Sequence, residues 1–462
     1  MASSESNSMN ILPTSQPFNV KPAPRTYVDG AAISVPVRKR PSTLRRVLHG
    51  LFFILVLVLL VKWIKSTSLF SWIKGHLRRE FDIHDDHWHY DVPSDTVLDG
   101  CVQGSEWTKD RYRGTKSYDL ARTSFDLPLS ADNLFMLSRG WLSGGSVSLV
   151  TSPEQAKDTV TVNVVASYRQ EYVRSLAKAC LVSRAGNQQG VGIFTPTWES
   201  GRRPENRQYT MVIFITVIFP ESSDGSSAVA IKSFETDVPD TGHLVAHFLG
   251  SKITFDSISL TGSNSGIYVK ALSATKGSLH TSNGAITGSF NTTTSLSLET
   301  SNAAIEIDVG LLSDSTEPNL DARTSDGKIN ARLRLTSSAG EGGNFSVSTI
   351  TSNSPVFAIV ADAPVDSALS FEATTSNGDA HVYLHPTYEG AFDVETSSRF
   401  NADLNFLPAA DPSGKQRGRA SWVQVQKKSH LLGSTSWSDK GSSGTVNVHT
   451  SNAAAVLDIV GS

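Results

Sequence analysis

HDDHWHY, residues 84–90, is the stretch of this 462-residue chain richest in metal-holding groups. His84, His87 and His89, with Asp85 and Asp86, offer the imidazole and carboxylate chemistry that zinc or copper takes. In an extended chain His87 and His89 share a face. The same residues suit a solvated linker. No matching ligand set follows downstream, so the expectation is a linker, with no metal and no cofactor.

Catalytic patterns are sparse. SRGWLSGGSVSLV (Ser138–Val150) is rich in Gly and Ser but lacks the spacing of a P-loop, of G-x-G-x-x-G or of G-x-S-x-G. It reads as a turn between strands. Glu299, Asp308, Glu372, Asp379, Glu395 and Asp403 are scattered, and a glycosidase needs two carboxyls at a set separation. No catalytic residue is assigned, and a membrane-tethered carbohydrate-active enzyme is the alternative. Two sequons, NTT at Asn291 and NFS at Asn344, are candidates for glycosylation. Cys101 and Cys180 are too few for a disulfide-rich scaffold or a Cys-based zinc site. They form one bridge in an oxidising compartment, or stay two buried thiols.

The elements behind these residues are repetitive. T-S-N-G-like text recurs with its serine at Ser263, Ser282, Ser301, Ser325, Ser352, Ser376, Ser397 and Ser451, at intervals of 19, 19, 24, 27, 24, 21 and 54 residues. Such periods mark repeat architectures. Counting from each serine, apolar residues sit at −5 and −3 (Leu296 and Leu298, Phe371 and Ala373) and at +4 and +6 (Ile305 and Ile307, Val356 and Ala358). Each arm is thus a strand with one buried face. The phase slips by one across the motif, so the motif is a bend that restores the inward face. Its residues are Asn264, Asn283, Gly284, Asn302, Asp326, Gly327, Asn353, Asn377, Gly378 and Asn452. Asn-Gly and Asp-Gly predict φ > 0 here.

Two folds satisfy the pattern. Hairpins would pair −1 with +4 and −3 with +6, giving an antiparallel sandwich. Arches would stack coil on coil as a β-solenoid, with Thr281, Thr300, Thr324, Thr351, Thr375, Thr396 and Thr450 in a ladder and Asn residues stacked beside them. Hairpins need no fixed period, so the recurrence favours stacking. At Ser397 the text TSSRFNADL predicts a shortened turn, with the inward set starting at Phe400. The interval from 397 to 451 holds an insertion or one degenerate copy in WVQVQKKSHLLGS.

Val47–Ile64, VLHGLFFILVLVLLVKWI, has a core from Leu51 to Val61 without a polar side chain. Eighteen helical residues span about 27 Å, enough for a bilayer core. Residues 1–65 carry nine Lys/Arg against Glu5 and Asp29, a charge of +7, so the chain's −3 leaves −10 on the remainder. The acidic bulk argues against nucleic acid as a partner. The basic end suits an anionic membrane surface. Cations before the span slightly outnumber those after it, and the sequons lie beyond it, which predicts a cytoplasmic N-terminus and a lumenal or extracellular C-terminal part.

The organisation is then a disordered cytoplasmic tail (1–43), a transmembrane helix (44–65), a juxtamembrane linker (66–100), a β-rich domain (101–244) and a β-repeat domain (245–462). In the β-rich domain, Tyr209–Pro220 is nearly all apolar and predicts a strand buried on both faces. Gln170–Val182 predicts its one helix. The class is an all-β ectodomain behind one N-terminal helix.

The repeated T-S-N-G-x-I/V-like units resemble the putative-adhesin repeat domain family of bacteria and fungi over residues 245–462. The layout also resembles single-span fungal membrane proteins with such an ectodomain. The resemblance implies a β-solenoid-like repeat, a surface or envelope role and no catalytic residues. The implied partners are the bilayer and a cell-wall carbohydrate or protein ligand.

Overall fold

The computed structural model describes residues 88–110, 118–197, 209–223, 227–406, 408–437 and 444–459. The tail, the membrane span, most of the juxtamembrane linker, His84 and His87 lie outside them. Among the described residues no helix is long and apolar enough to cross a membrane.

The alternating arms found in the sequence become two ladders of parallel strands. In the first, the −3 residues stack in register as Leu260, Leu279, Leu298, Ala322, Thr349, Ala373 and Val448. In the second, the +4 residues stack as Ile267, Ile286, Ile305, Ile329, Val356, Ala380 and Ala455. The inward residues of both ladders join one continuous apolar core. Burying each Leu or Ile there stabilises by roughly 1.5–3 kcal/mol. The arms flanking a turn do not pair with each other. Each pairs with the same arm of the neighbouring coil, so the hairpin alternative fails. The strands Ile267–Thr281 and Ile286–Thr300 serve both ladders.

The ladders run without a break through residue 244. Strand Val229–Asp237 joins Ile253–Thr261, and Thr241–Val245 joins Ile267–Thr281. At both ends spatial order leaves chain order. Near the N-terminus, strands Asn133–Arg139 and Gly145–Ser152 lie between Gln188–Phe194 and Met211–Pro220 on one side and Val229–Asp237 and Thr241–Val245 on the other. At the C-terminus, Gly444–Thr450 and Ala455–Ile459 slot between Ala368–Leu384 and the coil Gly390–Phe406. Antiparallel strands close the ends. Lys178–Arg184 flanks Gln188–Phe194 and is itself edged by Val97–Gln103, and the hairpin of Ala420–Lys427 and His430–Ser436 flanks Gly390–Glu395.

Several expectations are corrected. The only α-helix within Gln170–Val182 is Glu171–Ser175, because Lys178–Arg184 is taken as a strand between two partners. Met211–Pro220 buries one face only, and Phe214 on the other is 44% exposed. At Ser397 the turn is lengthened, not shortened: the inward set begins at Ala402, which pairs with Ala455. The 397–451 interval holds the closing hairpin, not a degenerate coil.

Candidate functional site

The turn row was the first candidate. Its backbone is stapled coil to coil: in the turns at Ser282, Ser301, Ser325, Ser352 and Ser376 the N–H groups of the serine and the next residue both donate to the preceding serine's carbonyl, as Ser301 and Asn302 do to Ser282 at 3.1 and 2.9 Å. Ser263 and Asn264 donate to Pro239 in the same way, and Asn452 to Ser376. The row's threonines are all buried. Each Oγ1 donates to the carbonyl two residues past the preceding coil's serine: Thr281 to Ser265, Thr300 to Gly284, Thr324 to Ala303, Thr351 to Gly327, Thr375 to Ser354 and Thr450 to Gly378, at 2.9–3.1 Å. Thr396 donates to Ala453 at 2.7 Å.

The glycines act by close approach. None of Gly284, Gly327 and Gly378 has φ > 0, contrary to the expectation from Asn-Gly turns. A Cβ on Gly284 would lie 2.1 Å from the Ser265 carbonyl oxygen, and one on Gly327 1.7 Å from that of Ala303. Along the stack this position reads Ser265, Gly284, Ala303, Gly327, Ser354, Gly378, Ala453, so every second coil lacks the Cβ.

The exposed amides form two runs. Asn264 donates to Asp240 (2.7 Å), Asn283 to Asn264 (2.8 Å) and Asn302 to Asn283 (2.5 Å). Asn353 donates to Asp326 (2.5 Å), Asn377 to Asn353 (2.8 Å) and Asn452 to Asn377 (2.8 Å). Each run starts on an aspartate because a carboxylate accepts but cannot donate onward. Apart from the break between Asn302 and Asp326, the amides of the row bond one another along the stack.

Other sequence candidates separate in space. Cys101 and Cys180 are opposite each other on adjacent antiparallel strands and form a disulfide. Asn291 and Asn344 lie on strands with exposed side chains. His89 is exposed, and its carbonyl accepts the Thr197 N–H and hydroxyl. No group of three His, Cys, Asp or Glu among the described residues is placed to hold a metal ion. Ser138–Val150 is a strand end, a turn and the next strand.

The six carboxylates do not converge. Glu299, Glu372 and Glu395 sit on the first ladder, Asp308 and Asp403 on the second, and Asp379 in a turn. None of the five in strands has a carboxylate opposite it on a neighbouring coil. Glu299 meets His280 at 3.5 Å, Asp308 meets Arg334 at 2.6 Å and Glu395 meets His449 at 3.9 Å.

A site that sequence reasoning missed lies on the outward face of the second ladder. His381 and Tyr383, two apart on one strand, stack at 4.2 Å. Phe357, on the coil before, sets its ring 5.7 Å from His381 and 5.3 Å from Tyr383. Below them, the Asp458 carboxylate is 2.7 Å from His381 Nε2 and accepts the Asn405 amide at 2.6 Å. Desolvation, then the Asp458 charge, holds the Tyr383 hydroxyl above its ordinary pKa. Phe357 is 37% exposed, so the cluster opens to solvent. Its signal was present at +5 and +7 of successive motifs, but bringing Asp458 to Tyr383 requires knowing that the last coil is interleaved.

One buried polar pair also stands out. His243 occupies the column of Ile267 and Ile286, and Thr236 that of Leu260 and Leu279. His243 Nε2 lies 2.7 Å from Thr236 Oγ1, which also accepts the Thr261 N–H at 3.2 Å. Desolvation lowers the His243 pKa to about 4.

No protein-family model matches the chain, and no curated protein does. Three solved structures give partial matches. A putative cell adhesion protein from Clostridium sporogenes ATCC 15579 is 10% identical, with 74% of this chain and 100% of that one covered and a TM-score of 0.17. A putative adhesin from Bacteroides fragilis NCTC 9343 is 10% identical, with coverage of 57% and 96% and a TM-score of 0.32. A putative adhesin from Parabacteroides merdae ATCC 43184 is 7% identical, with coverage of 59% and 90% and a TM-score of 0.27. TM-scores this low carry no argument about fold or function, and the functional reading rests on the geometry.

Proposed function

We propose that the chain is a single-pass membrane protein with a cytoplasmic N-terminus, presenting a non-catalytic β-solenoid in the lumen or outside the cell. Its role is contact: adhesion, or attachment to an envelope, cell wall or protein partner. The observation that carries this reading is the exposed ring cluster of Phe357, His381 and Tyr383, held on a scaffold whose turn row is bonded coil to coil. The apolar span Val47–Ile64 supports the anchor. The Cys101–Cys180 bridge supports an oxidising compartment, and the exposure of Asn291 and Asn344 suits glycosylation there.

Protease protection in sealed vesicles tests the topology. The expected result is a C-terminal part that resists protease added to the cytosolic side until detergent opens the membrane. Digestion without detergent would overturn it.

A further inference from the structure

We infer that the outward face around Phe357, His381 and Tyr383 binds a neutral carbohydrate. The inference rests on the contact role proposed above and narrows its ligand.

The second ladder presents two outward columns over these coils. In register, one runs Thr287, Glu306, Asn330, Phe357, His381, Val456, Asp403. The other runs Ser289, Asp308, Arg332, Ile359, Tyr383, Asp458, Asn405. Both turn from polar to ring-bearing or apolar at the same coil, with Phe357 and Ile359; the first stays so through Val456, while the second is polar again at Asp458. Phe357, Ile359, His381, Tyr383 and Val456 thus form a patch bounded by Asn330 and Arg332 on one side and by Asp403 and Asp458 on the other. Thr287, Glu306 and Asn330 separate it from the next exposed aromatic of the same column, Tyr268.

Size narrows the occupant. Coils lie about 4.8 Å apart and alternate residues about 7 Å apart, so the patch measures on the order of 10 Å by 7 Å. A stable protein–protein interface buries about 800 Å² per partner, far more than this. One or two sugar rings fit it.

Chemistry narrows it further. The Asp458 carboxylate is engaged by His381 and Asn405 and is only 12% exposed, so it offers no free charge to recruit a cation. At the rim, Asn330 and Arg332 on one side and Asp403 and Asn405 on the other supply donors and acceptors, and the two charges oppose each other. Ring faces carry partial negative charge and attract the C–H face of a pyranose. The amides and charged groups at the rim then meet its equatorial hydroxyls. A neutral ligand with one apolar face and a polar edge matches both features. Cross-strand packing alone would explain one aromatic pair here, but not three rings together with Ile359, beginning at the same coil in both columns.

The test uses the full chain in detergent micelles and titration calorimetry with neutral hexasaccharides of glucose, mannose and N-acetylglucosamine. Binding of at least one is expected, weakened tenfold or more by Phe357→Ser and by Tyr383→Ser. Tyr268→Ser, at an outward aromatic 47% exposed on a distant coil, should change affinity less than twofold. All three positions face outward, and an unchanged melting temperature shows that the fold persists. Failure of all three saccharides to bind overturns the inference, as does full binding by Phe357→Ser. Capture of a protein partner that depends on Phe357, with no saccharide bound, overturns it while leaving the contact role intact. Failure of the protease-protection experiment sinks the membrane topology without touching this site.

Discussion

The middle coils and the two ends of the stack are built from the same strands but joined by different rules. Between Ile253 and Leu384 each coil lies on its neighbour in sequence. At the ends a coil from elsewhere in the chain slips between two that would otherwise touch. The alternating pattern specifies the shape of a coil and its inward face, not which coil lies next to it. Val394 and Val448, or Ala402 and Ala455, are interchangeable in the columns they enter. Interleaving fixes the ends by long-range pairing, where a simple stack would leave a last coil held on one side and free to fray.

Deletions break the comparison most strongly. Removing Ser301–Thr324 takes out one repeat and lets Thr300 lead directly into Ser325, so the remaining rows close in register. The fold should persist with a lowered melting temperature. Removing 444–462 instead takes away the fully buried Val446, Val448, Leu457 and Ile459 and the shared neighbour of two coils. At roughly 1.5–3 kcal/mol per side chain, the end beyond residue 368 should open. Limited proteolysis should then yield a core ending near that residue. Equal resistance in the two deletions would show that interleaving adds nothing.

His243 gives a second contrast, between the first regular coils and the irregular part before them. Its pKa is about 6.5 in the unfolded chain and about 4 when folded. The folded state resists protonation, so the contribution is complete above pH 6.5 and is lost as pH falls towards 4. The loss is about 3 kcal/mol. Urea denaturation at pH 7 and pH 4.5 should show it in the native chain, and His243→Gln should remove that share of the slope. An unchanged slope would mean that the imidazole is hydrated in the folded state.

The coil pattern was legible because period-two arms and a recurring turn are local properties. Stacking was legible because hairpins give no reason for the period. The order of coils was not, since nothing local distinguishes Ala402 from Ala455 as a neighbour of Ala380. The glycines were misread because Asn-Gly most often marks φ > 0, whereas here the constraint comes from another coil's backbone. The repeat in fact starts one turn earlier: with Pro239 as zero, Phe234, Thr236, His243 and Val245 hold the −5, −3, +4 and +6 places. It escaped notice because two of those four are polar. The ring cluster escaped for a different reason: it belongs to the outward face, where a single motif carries no pattern.

Threonine staples ask whether the ends are held as tightly as the middle. Thr351 donates to the Gly327 carbonyl and Thr450 to that of Gly378, both at 2.9 Å and both buried. Replacing either by the near-isosteric Val strands a buried carbonyl, at a cost of about 1–2 kcal/mol. Chemical denaturation should give the same loss for both, because the staple is local geometry. A much smaller loss for Thr450→Val would mark the interleaved coil as loosely seated.

The smallest effects lie in the exposed amide runs, and they sharpen the comparison inside the regular region itself. The break between Asn302 and Asp326 leaves two acceptors on adjacent coils, since neither the Asn302 oxygen nor the Asp326 carboxylate can donate. Asp326→Asn supplies the missing N–H and makes one run of the two. Its gain is held to about 0.5 kcal/mol by solvent exposure and by loss of the charged acceptor under Asn353. Asn302→Asp does the opposite. It removes the donor to Asn283 and sets two carboxylates on neighbouring coils, at a cost of about 1 kcal/mol that high salt should reduce. Urea melts of both variants at low and high salt test this. Opposite signs, with salt dependence strongest in Asn302→Asp, are expected. Equal effects would show that the amide row reports the stacking of the coils without contributing to it.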